Sequence, residues 1–384
     1  MIYVHVPFCR SFCTYCGFYS EICSRTESQQ VQNRIFSDYT DAIIAEIQSR
    51  GISPEYMGLE GDYVPSLYIG GGTPSVLPLE MLERIVRALG PKDYEEFTIE
   101  VNPDDIVRKG PDYVRGLKKL GVNRVSMGVQ SFDDGILKWM NRRHDAAEAR
   151  EAFRILRDCG MENISIDLIF GLSHLSDSQW KETIAEAMSL GPEHISAYQL
   201  SIEEGSALER LVREGRYEEA SDEQCRSQYE MLCGMLGSAG YRHYEVSNWA
   251  KPGYEAVHNS AYWRRVSYIG LGPGAHSFDA ESGIRSWNSE ELASRDADGH
   301  LKSWSSDQEK LTEDESAEER ILLALRMADG IRPEDLHHCR KLLGHDDTLV
   351  EEMLREGLLV QIGDHLRIPE DRFFVSDDII SRLI

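Results

Sequence analysis

The feature that most constrains this chain is a regular alternation of strand-like and helix-like segments. Short apolar segments such as residues 2–6 (IYVHV) and 163–171 (NISIDLIFG) are typical of buried strands. The stretches between such segments have helical periodicity, and the strands recur at a spacing of about 30 residues. This alternation predicts βα units built around a parallel sheet.

Polar or special residues stand at the carboxyl ends of six successive predicted strands. They are Cys9, Gly71, Glu100, Gln130, Asp167 and Tyr198. In a barrel, functional residues gather at this face, whereas in an open doubly wound sheet they concentrate at one switch point. The spread over six strands favours an α/β fold with a partial (β/α)6 barrel that is similar to a TIM barrel.

The rhythm stops after about residue 205, which suggests three parts. We predict the barrel over residues 1–205, an extension over residues 206–305 and a small C-terminal domain over residues 306–384. In the last part, ERILLALRMADG and DTLVEEMLREGLLV predict amphipathic helices, and LRIPEDRFFV predicts a short β segment. We therefore expect a mainly helical domain, for which a winged-helix-like shape is one candidate.

Net charge and hydropathy limit the partners and the cellular compartment that we expect for the protein. The formal net charge is −25, which argues against nucleic acid and anionic lipid as partners. No stretch approaches the roughly 20 apolar residues that span a bilayer. The first residues, MIYVHVPF, are too short and too uncharged for a signal peptide. We expect a cytoplasmic protein that does not insert stably into membranes.

Three cysteines, Cys9, Cys13 and Cys16, follow the first predicted strand with the spacing Cys-x3-Cys-x2-Cys. In a reducing compartment, clustered cysteines indicate metal or redox chemistry more than disulfides. A zinc site needs four ligands, and no second cysteine pair follows. A [4Fe–4S] cluster usually has four thiolates, so three would leave one iron open to another ligand. Two alternatives remain, namely Cys23 as a fourth thiolate and three unliganded thiols.

The other four cysteines are expected to be ordinary thiols: Cys159, Cys225, Cys233 and Cys339. The three clustered cysteines, with the aromatic Tyr15 beside them, resemble the signature of the radical S-adenosylmethionine (SAM) superfamily. In that family the amine and carboxylate of SAM bind the open iron, and an electron from the cluster cleaves SAM to start radical chemistry. The resemblance implies a [4Fe–4S] cluster on Cys9, Cys13 and Cys16, SAM as a second cofactor, and an electron donor for the cluster.

The resemblance also implies a set of SAM contacts. Residues 70–75 (GGGTPS) resemble the SAM-binding glycine motif, although a glycine run alone more often marks a turn. A carboxylate at a strand end, such as Glu100, can equally be a solvated loop acid. The implied SAM positions are Tyr3, Tyr15, Gly71, Gly72, Thr73, Glu100, Gln130, Arg142 and Asp167. Whether these positions serve one SAM molecule or two stays open.

Two branches of the superfamily share these motifs: the oxygen-independent coproporphyrinogen III oxidases and the HemW-type heme chaperones. The oxidases have a further cysteine where this chain has Phe18, and a substantial segment before the first strand, which begins here at Ile2. Residues 258–263 (HNSAYW) resemble the His-Asn-x-x-Tyr-Trp motif of the chaperones, which implies that His258 contacts heme. The alternative is that His258 satisfies a hydrogen bond in the core while Trp263 fills a domain junction.

We therefore expect a radical-SAM-type heme chaperone that binds heme and delivers it to acceptor proteins. The alternative is an oxidase that decarboxylates coproporphyrinogen III to protoporphyrinogen IX with SAM as oxidant. A different radical SAM reaction on another substrate is a third hypothesis. The sequence identifies neither catalytic residues nor the heme acceptor.

Overall fold

A computed structural model describes residues 1–23, 28–52, 64–90, 93–296 and 298–384. The first part of the chain forms, in order, β1 (Ile2–Val6), β2 (Phe8–Cys9), β3 (Glu21–Ile22), α1 (Gln29–Ser49), β4 (Ser66–Gly71), α2 (Leu79–Leu89), β5 (Glu96–Val101), α3 (Pro103–Lys119), β6 (Arg124–Gln130), α4 (Asp134–Trp139), α5 (Ala146–Asp158), β7 (Asn163–Phe170), α6 (Asp177–Leu190) and β8 (His194–Gln199).

The second part forms α7 (Ala207–Arg213), α8 (Asp222–Ser238), β9 (Arg242–Glu245), β10 (Asn248–Ala250), α9 (Val257–Trp263), β11 (Ile269–Leu271), β12 (His276–Asp279), β13 (Ile284–Asn288) and β14 (Ser306–Lys310). The last part forms α10 (Glu313–Leu325), α11 (Pro333–Leu342), α12 (Thr348–Glu356), β15 (Val360–Ile362), β16 (His365–Arg367) and α13 (Ser376–Ser381).

The central sheet has the strand order β11-β1-β4-β5-β6-β7-β8-β10-β9 in the described part of the chain. From β11 to β8 all neighbours are parallel, and β10 runs antiparallel to both β8 and β9. Within the described residues the sheet does not close, and its two edge strands are β11 and β9. This confirms the α/β class and the six predicted barrel strands, which are β1 and β4 to β8.

Capping residues set where two of the helices that cover the sheet begin and where one of them ends. Asp145 and Glu148 form a capping box at the start of α5, and Ser176 and Gln179 form one at the start of α6. Helix α6 ends at Gly191, whose φ of +71° suits glycine. Because β1 and β4 to β8 are parallel, their carboxyl ends lie at the same end of the sheet.

Part of the central sheet comes from beyond residue 205. The segment predicted as an extension supplies β9, β10 and β11 to the same sheet, and β11 pairs with β1 through Ile2 and Ile269. These strands have only three or four residues, too few for a periodicity to be visible in the sequence. The central sheet therefore extends beyond the segment in which the sequence shows its rhythm.

The C-terminal part is mainly helical, as expected. Its three helices α10, α11 and α12 precede the hairpin of β15 and β16. The predicted β segment at residues 366–375 is strand only at its start and then forms a 3-10 turn over Glu370–Val375. No helix in the described ranges combines the length and apolar character that crossing a membrane would need.

Candidate functional site

The carboxyl ends of the strands surround one cavity of about 580 Å³, a size typical of small-molecule sites. Most of the predicted site residues line it. They are Cys9, Cys13, Tyr15, Cys16, Gly71, Gly72, Thr73, Glu100, Gln130, Arg142 and Asp167. Two predicted residues, Tyr3 and His258, are not among its lining residues. The structure thus brings together side chains from β2, β4, β5, β6 and β7.

The loop that carries the cysteines is closed at its base by a short parallel ladder. Strands β2 and β3 pair, and the backbone N–H of Cys23 donates to the carbonyl of Cys9 at 2.8 Å. At the far side, Thr14 donates through its N–H to the carbonyl of Met140 at 3.0 Å and through its hydroxyl to that of Trp139 at 2.8 Å. The loop is therefore anchored at both sides of the cavity.

The chemistry of the three thiols fits an iron–sulfur cluster. Burial raises the pKa of Cys9 and raises that of Cys16 to about 11, so positive charge must be supplied to hold them as thiolates. The three sulfurs are not all within 4.8 Å of one another, so they do not converge on a single ion in this arrangement. Such spacing suits a cluster whose irons lie apart. Cys23 is buried in the hydrophobic core and is not among the lining residues of the cavity.

The glycine segment after β4 requires glycine for steric reasons. Gly71 has a φ of +111°, and a Cβ there would lie 2.6 Å from the His5 ring. A Cβ on Gly72 would lie 2.9 Å from the carbonyl oxygen of Phe8. The turn therefore packs directly against the backbone that leads to the cysteines, and the Thr73 hydroxyl lies 3.5 Å from the Cys9 sulfur.

Glu100 holds this turn in place through a hydrogen bond from the Gly71 backbone. Its Oε2 accepts the N–H of Gly71 at 3.0 Å, and its Oε1 accepts the hydroxyl of Tyr68 at 2.8 Å. Burial raises the pKa of Glu100 to about 7, against the lowering effect of the Tyr68 hydrogen bond. A cationic group brought to the cavity would favour the ionised carboxylate.

Two residues in the cavity wall have unusual features. Gln130 has a positive backbone φ, and Arg142 has a buried nitrogen without a hydrogen-bond partner among the described residues. Gln130 has a φ of +69°, unusual for a non-glycine residue, where the register of β6 and β7 shifts. Arg142 donates to the Cys13 sulfur at 3.2 Å and to the Gly128 carbonyl, yet its buried Nε has no hydrogen-bond partner in the described structure. Buried donors are normally paired, so a polar ligand is expected near Arg142.

Asp167 lies deeper in the cavity. Its two carboxylate oxygens accept the Ser126 hydroxyl at 2.9 and 3.1 Å, and burial raises its pKa. The sequence did not single out Ser126, Tyr68 or Arg124, which also line the cavity. A period-2 pattern in the sequence could have indicated the residues on β6. Every second residue of β5 and β6 is polar or glycine, as expected for side chains that face a polar cavity.

Tyr3 lies one layer behind the cavity. Its hydroxyl donates to Nδ1 of His5 at 3.0 Å, and Nε2 of His5 donates to the carbonyl of Tyr19 at 3.0 Å. These two hydrogen bonds connect Tyr3, through His5, to Tyr19, which follows the last cysteine of the loop by three residues. The structure places Tyr3 behind the cavity wall, and its predicted contact with SAM stays a prediction.

His258 lies at the opposite end of the barrel from the cysteines. Its Nδ1 is 2.9 Å from the hydroxyl of Ser66, the first residue of β4, and its Nε2 is 3.0 Å from the hydroxyl of Tyr262. The residue is fully buried, and burial lowers its pKa to about 3. Strand β4 rises about 3.3 Å per residue, so Ser66 lies roughly 16 Å from Gly71. In this conformation both ring nitrogens are within hydrogen-bond distance of protein hydroxyls. The heme contact of His258 stays a prediction.

The helix that carries His258, α9, is fixed at the amino ends of the strands. Glu96, the first residue of β5, accepts the N–H of Val257 at 2.7 Å and that of His258 at 3.2 Å. The next residue, Asn259, lines the cavity. The HNSAYW motif thus borders the cavity from below through its asparagine, a placement that the motif alone does not reveal.

Comparison with known proteins agrees with this geometry. A family model described as the radical SAM superfamily matches residues 3–187, and one described as the HemN C-terminal domain matches residues 311–371. The structure is similar to that of coproporphyrinogen III oxidase (HemN) from Escherichia coli, with a TM-score of 0.78 and 21% identity over 100% of this chain and 89% of that one. At that identity the likeness shows the fold.

The chain is also similar along its length to curated relatives named heme chaperone HemW. The relative from Bacillus subtilis is 32% identical over 93% of this chain and 92% of its own length, and that from Lactococcus lactis is 30% identical over 100% and 96%. A radical SAM family implies a [4Fe–4S] cluster and SAM as its cofactors. This chain belongs to the HemW heme chaperone family within the radical SAM superfamily.

Proposed function

We propose that this protein binds heme and delivers it to acceptor proteins. The observation that carries the proposal is the similarity, along almost the entire chain, to relatives named heme chaperones. The order of motifs agrees with it, because residues 258–263 keep the His-Asn-x-x-Tyr-Trp pattern that resembles that branch.

We further propose that Cys9, Cys13 and Cys16 hold a [4Fe–4S] cluster and that SAM binds beside it in the cavity. When bound, this pair would supply one-electron chemistry, fed by an external electron donor. The residues of the chain then have distinct tasks. Glu100 holds the glycine turn in place, and the unpartnered Nε of Arg142 offers a donor to a polar group of SAM.

Gln130 and Asp167 remain proposed SAM contacts on the same cavity wall. Tyr15 lines the cavity between two cluster cysteines, which supports the same assignment. Tyr3 and His258 remain proposed contacts of SAM and of heme, and in this structure both side chains are hydrogen-bonded within the protein.

The oxidase alternative is less well supported. The structural likeness to HemN is at 21% identity and carries the fold alone. Phe18 occupies the position where the oxidases have an additional cysteine, and its side chain is 76% exposed at the cavity rim. A phenyl ring there can contact an apolar ligand but cannot ligate iron.

The test uses the protein reconstituted without oxygen, in three assays. Heme is titrated and followed by its absorption, heme transfer is measured to an apo-hemoprotein, and coproporphyrinogen III is incubated with SAM and a reductant. We expect saturable heme binding, transfer to the acceptor and no decarboxylation. Decarboxylation at the rate of an authentic oxidase run in parallel, or an absence of heme binding, would overturn the proposal.

A further inference from the structure

A group of charged side chains around the start of α3 has no role in the site described so far. Its centre is Asp105, the third residue of that helix, whose side chain is fully buried. Arg108 donates to its Oδ1 at 2.6 Å and Arg143 donates to its Oδ2 at 3.0 Å. Arg10, which belongs to the cysteine loop, places its Nε 3.5 Å from Oδ1. Burial acts to raise the pKa of Asp105, but Arg143 and further cations lower it overall, so the carboxylate is ionised.

The charges in this group do not cancel. Three guanidiniums stand against two carboxylates, because Arg143 also pairs with Asp104 at 2.9 Å. Arg108 and Arg143 have close partners, whereas no hydrogen bond of the Arg10 guanidinium is found within the described ranges, and its Nε is buried without a partner there. The positive charge that remains is therefore centred on Arg10.

Arg10 lies beside the cluster cysteines but outside the cavity. It directly follows Cys9, so the two Cα atoms are about 3.8 Å apart. Arg10 is not among the residues that line the cavity, yet its side chain is 20% exposed. The neighbouring Arg108 is 46% exposed. These two residues, which we call the basic patch, thus present positive charge to solvent next to the first cysteine.

The basic patch contrasts with the charge of the chain as a whole, which is −25. Another exposed arginine of α3, Arg115, is neutralised by Asp112 at 2.6 Å. The field of a strongly acidic protein repels an acidic partner, whereas a local excess of cations attracts and orients one. The basic patch is therefore a place where an acidic protein can approach the cysteine loop.

We propose that the basic patch is the docking surface for the electron donor of the cluster, and that this donor is a small acidic electron-transfer protein. The proposal rests on the proposed [4Fe–4S] cluster at Cys9, Cys13 and Cys16, and it names where the electron enters. One electron leaves the reduced donor and is taken up by the oxidised cluster, and no atom passes between the two proteins.

A small patch is sufficient for such a partner, because electron-transfer complexes bury little area and their association is steered by charge. The adjacent position of Arg10 and Cys9 gives the docked donor a short path to the cluster. Since the basic patch lies outside the cavity, the donor and a small molecule in the cavity do not compete for the same surface.

The test is the rate at which the reconstituted protein is reduced, without oxygen, by reduced flavodoxin, a small acidic flavin protein, followed by stopped-flow absorption. Arg10→Gln and Arg108→Gln each remove one charge, Arg10→Lys keeps it, and Arg115→Gln is the matched control on the same helix. Two unit charges about 4 Å apart in water attract strongly enough to change a rate constant by roughly fivefold. We therefore expect the second-order rate constant at low salt to fall about two- to fivefold in both glutamine variants of the basic patch.

Arg10→Lys and Arg115→Gln should stay near the wild-type rate. Because salt screens exposed charges, the wild-type rate should fall as salt is added, and the variants should converge with it. Reduced methyl viologen, a small cation that needs no docking surface, is the control reductant, and its rate should not fall in any variant. Iron and sulfide analysis shows whether each variant holds a full cluster, and Arg108→Gln decides the outcome should Arg10→Gln hold less.

A wild-type rate with flavodoxin in the glutamine variants of the basic patch would overturn the proposal, as would an equal fall in Arg115→Gln or with methyl viologen. A wild-type protein that holds its cluster but is not reduced by flavodoxin, or whose rate does not fall with salt, would also overturn it. A wild-type protein that holds no cluster would instead contradict the proposed function. The two failures are therefore distinguishable.

Discussion

Two groups of polar residues, one around α9 and one in the cavity wall, differ in how completely their hydrogen bonds are satisfied. At the amino ends, Ser66, Glu96 and His258 are buried and hydrogen-bonded to one another or to α9. At the carboxyl ends, Arg142 keeps a buried unpaired nitrogen and Gln130 a strained backbone. The first group is hydrogen-bonded within the core. The second lines the cavity and includes a buried donor that a polar ligand can use.

This difference shows why the partners of a residue matter more than its type. A histidine in a family motif invites a ligand assignment, yet both ring nitrogens of His258 are within hydrogen-bond distance of protein hydroxyls. Polar groups that are fully paired stabilise a fold, whereas unpaired ones at a cavity are candidates for binding.

The largest effect is expected at the cysteine loop. Replacing Cys13 with Ala removes one of the three thiolates proposed to hold the cluster. The reconstituted protein should therefore lose almost all of its iron and of the visible absorption of the cluster. Cys23→Ala is the control, because Cys23 lies in the core and not in the cavity wall. Iron and sulfide analysis measures both. Equal loss of iron in Cys23→Ala would show that the open-iron arrangement is wrong.

A smaller but substantial effect is expected at the amino end. His258→Ala leaves the hydroxyls of Ser66 and Tyr262 without their buried partner and creates a cavity, so it should lower the free energy of unfolding by roughly 2–5 kcal/mol. Urea unfolding followed by circular dichroism measures this. His174→Ala, at an exposed position on the loop after β7, should change it by less than about 0.5 kcal/mol. Equal effects of the two variants would remove the contrast between the ends.

The prediction for Glu100 depends on pH. Its pKa of about 7 in the folded protein lies above the ordinary value of 4.5, so the folded state binds the proton more tightly than the unfolded chain does. The ionised group therefore costs stability as pH rises from about 4.5 to 7, by up to roughly 3 kcal/mol.

We expect Glu100→Gln to lose less stability than the wild type between pH 5 and pH 8, measured by urea unfolding without SAM. The exposed Glu83→Gln is the control and should follow the wild type. A parallel pH profile for Glu100→Gln and the wild type would show that Glu100 ionises normally.

The smallest effect is expected at Phe18. Its ring is 76% exposed on the cavity rim, so Phe18→Ala should change the free energy of unfolding by less than about 0.5 kcal/mol. The cluster content should also stay unchanged, which iron analysis can check. Loss of iron in Phe18→Ala would mean that the ring shields the cluster and is not merely part of the rim.

Much of the fold follows from the sequence because its signals are local. The apolar strand Ile2–Val6 and the alternation after it predict the parallel sheet, and the glycines at 71 and 72 mark a close approach that the structure contains. The location of His258 does not follow, because a motif on a short helix has no intrinsic direction relative to the barrel. The pairing of Ile269–Leu271 with β1 joins residues far apart in the chain through a strand of only three residues, which no local pattern predicts.

The central claim is that the carboxyl end holds a cluster with one iron open to SAM. The most direct measurement is the electron paramagnetic resonance spectrum of the reduced, reconstituted protein before and after SAM is added. The account predicts that SAM shifts the cluster signal, because it occupies the iron without a thiolate, and that the shift persists in His258→Gln. A cluster signal that SAM leaves unchanged in the wild type would contradict the account.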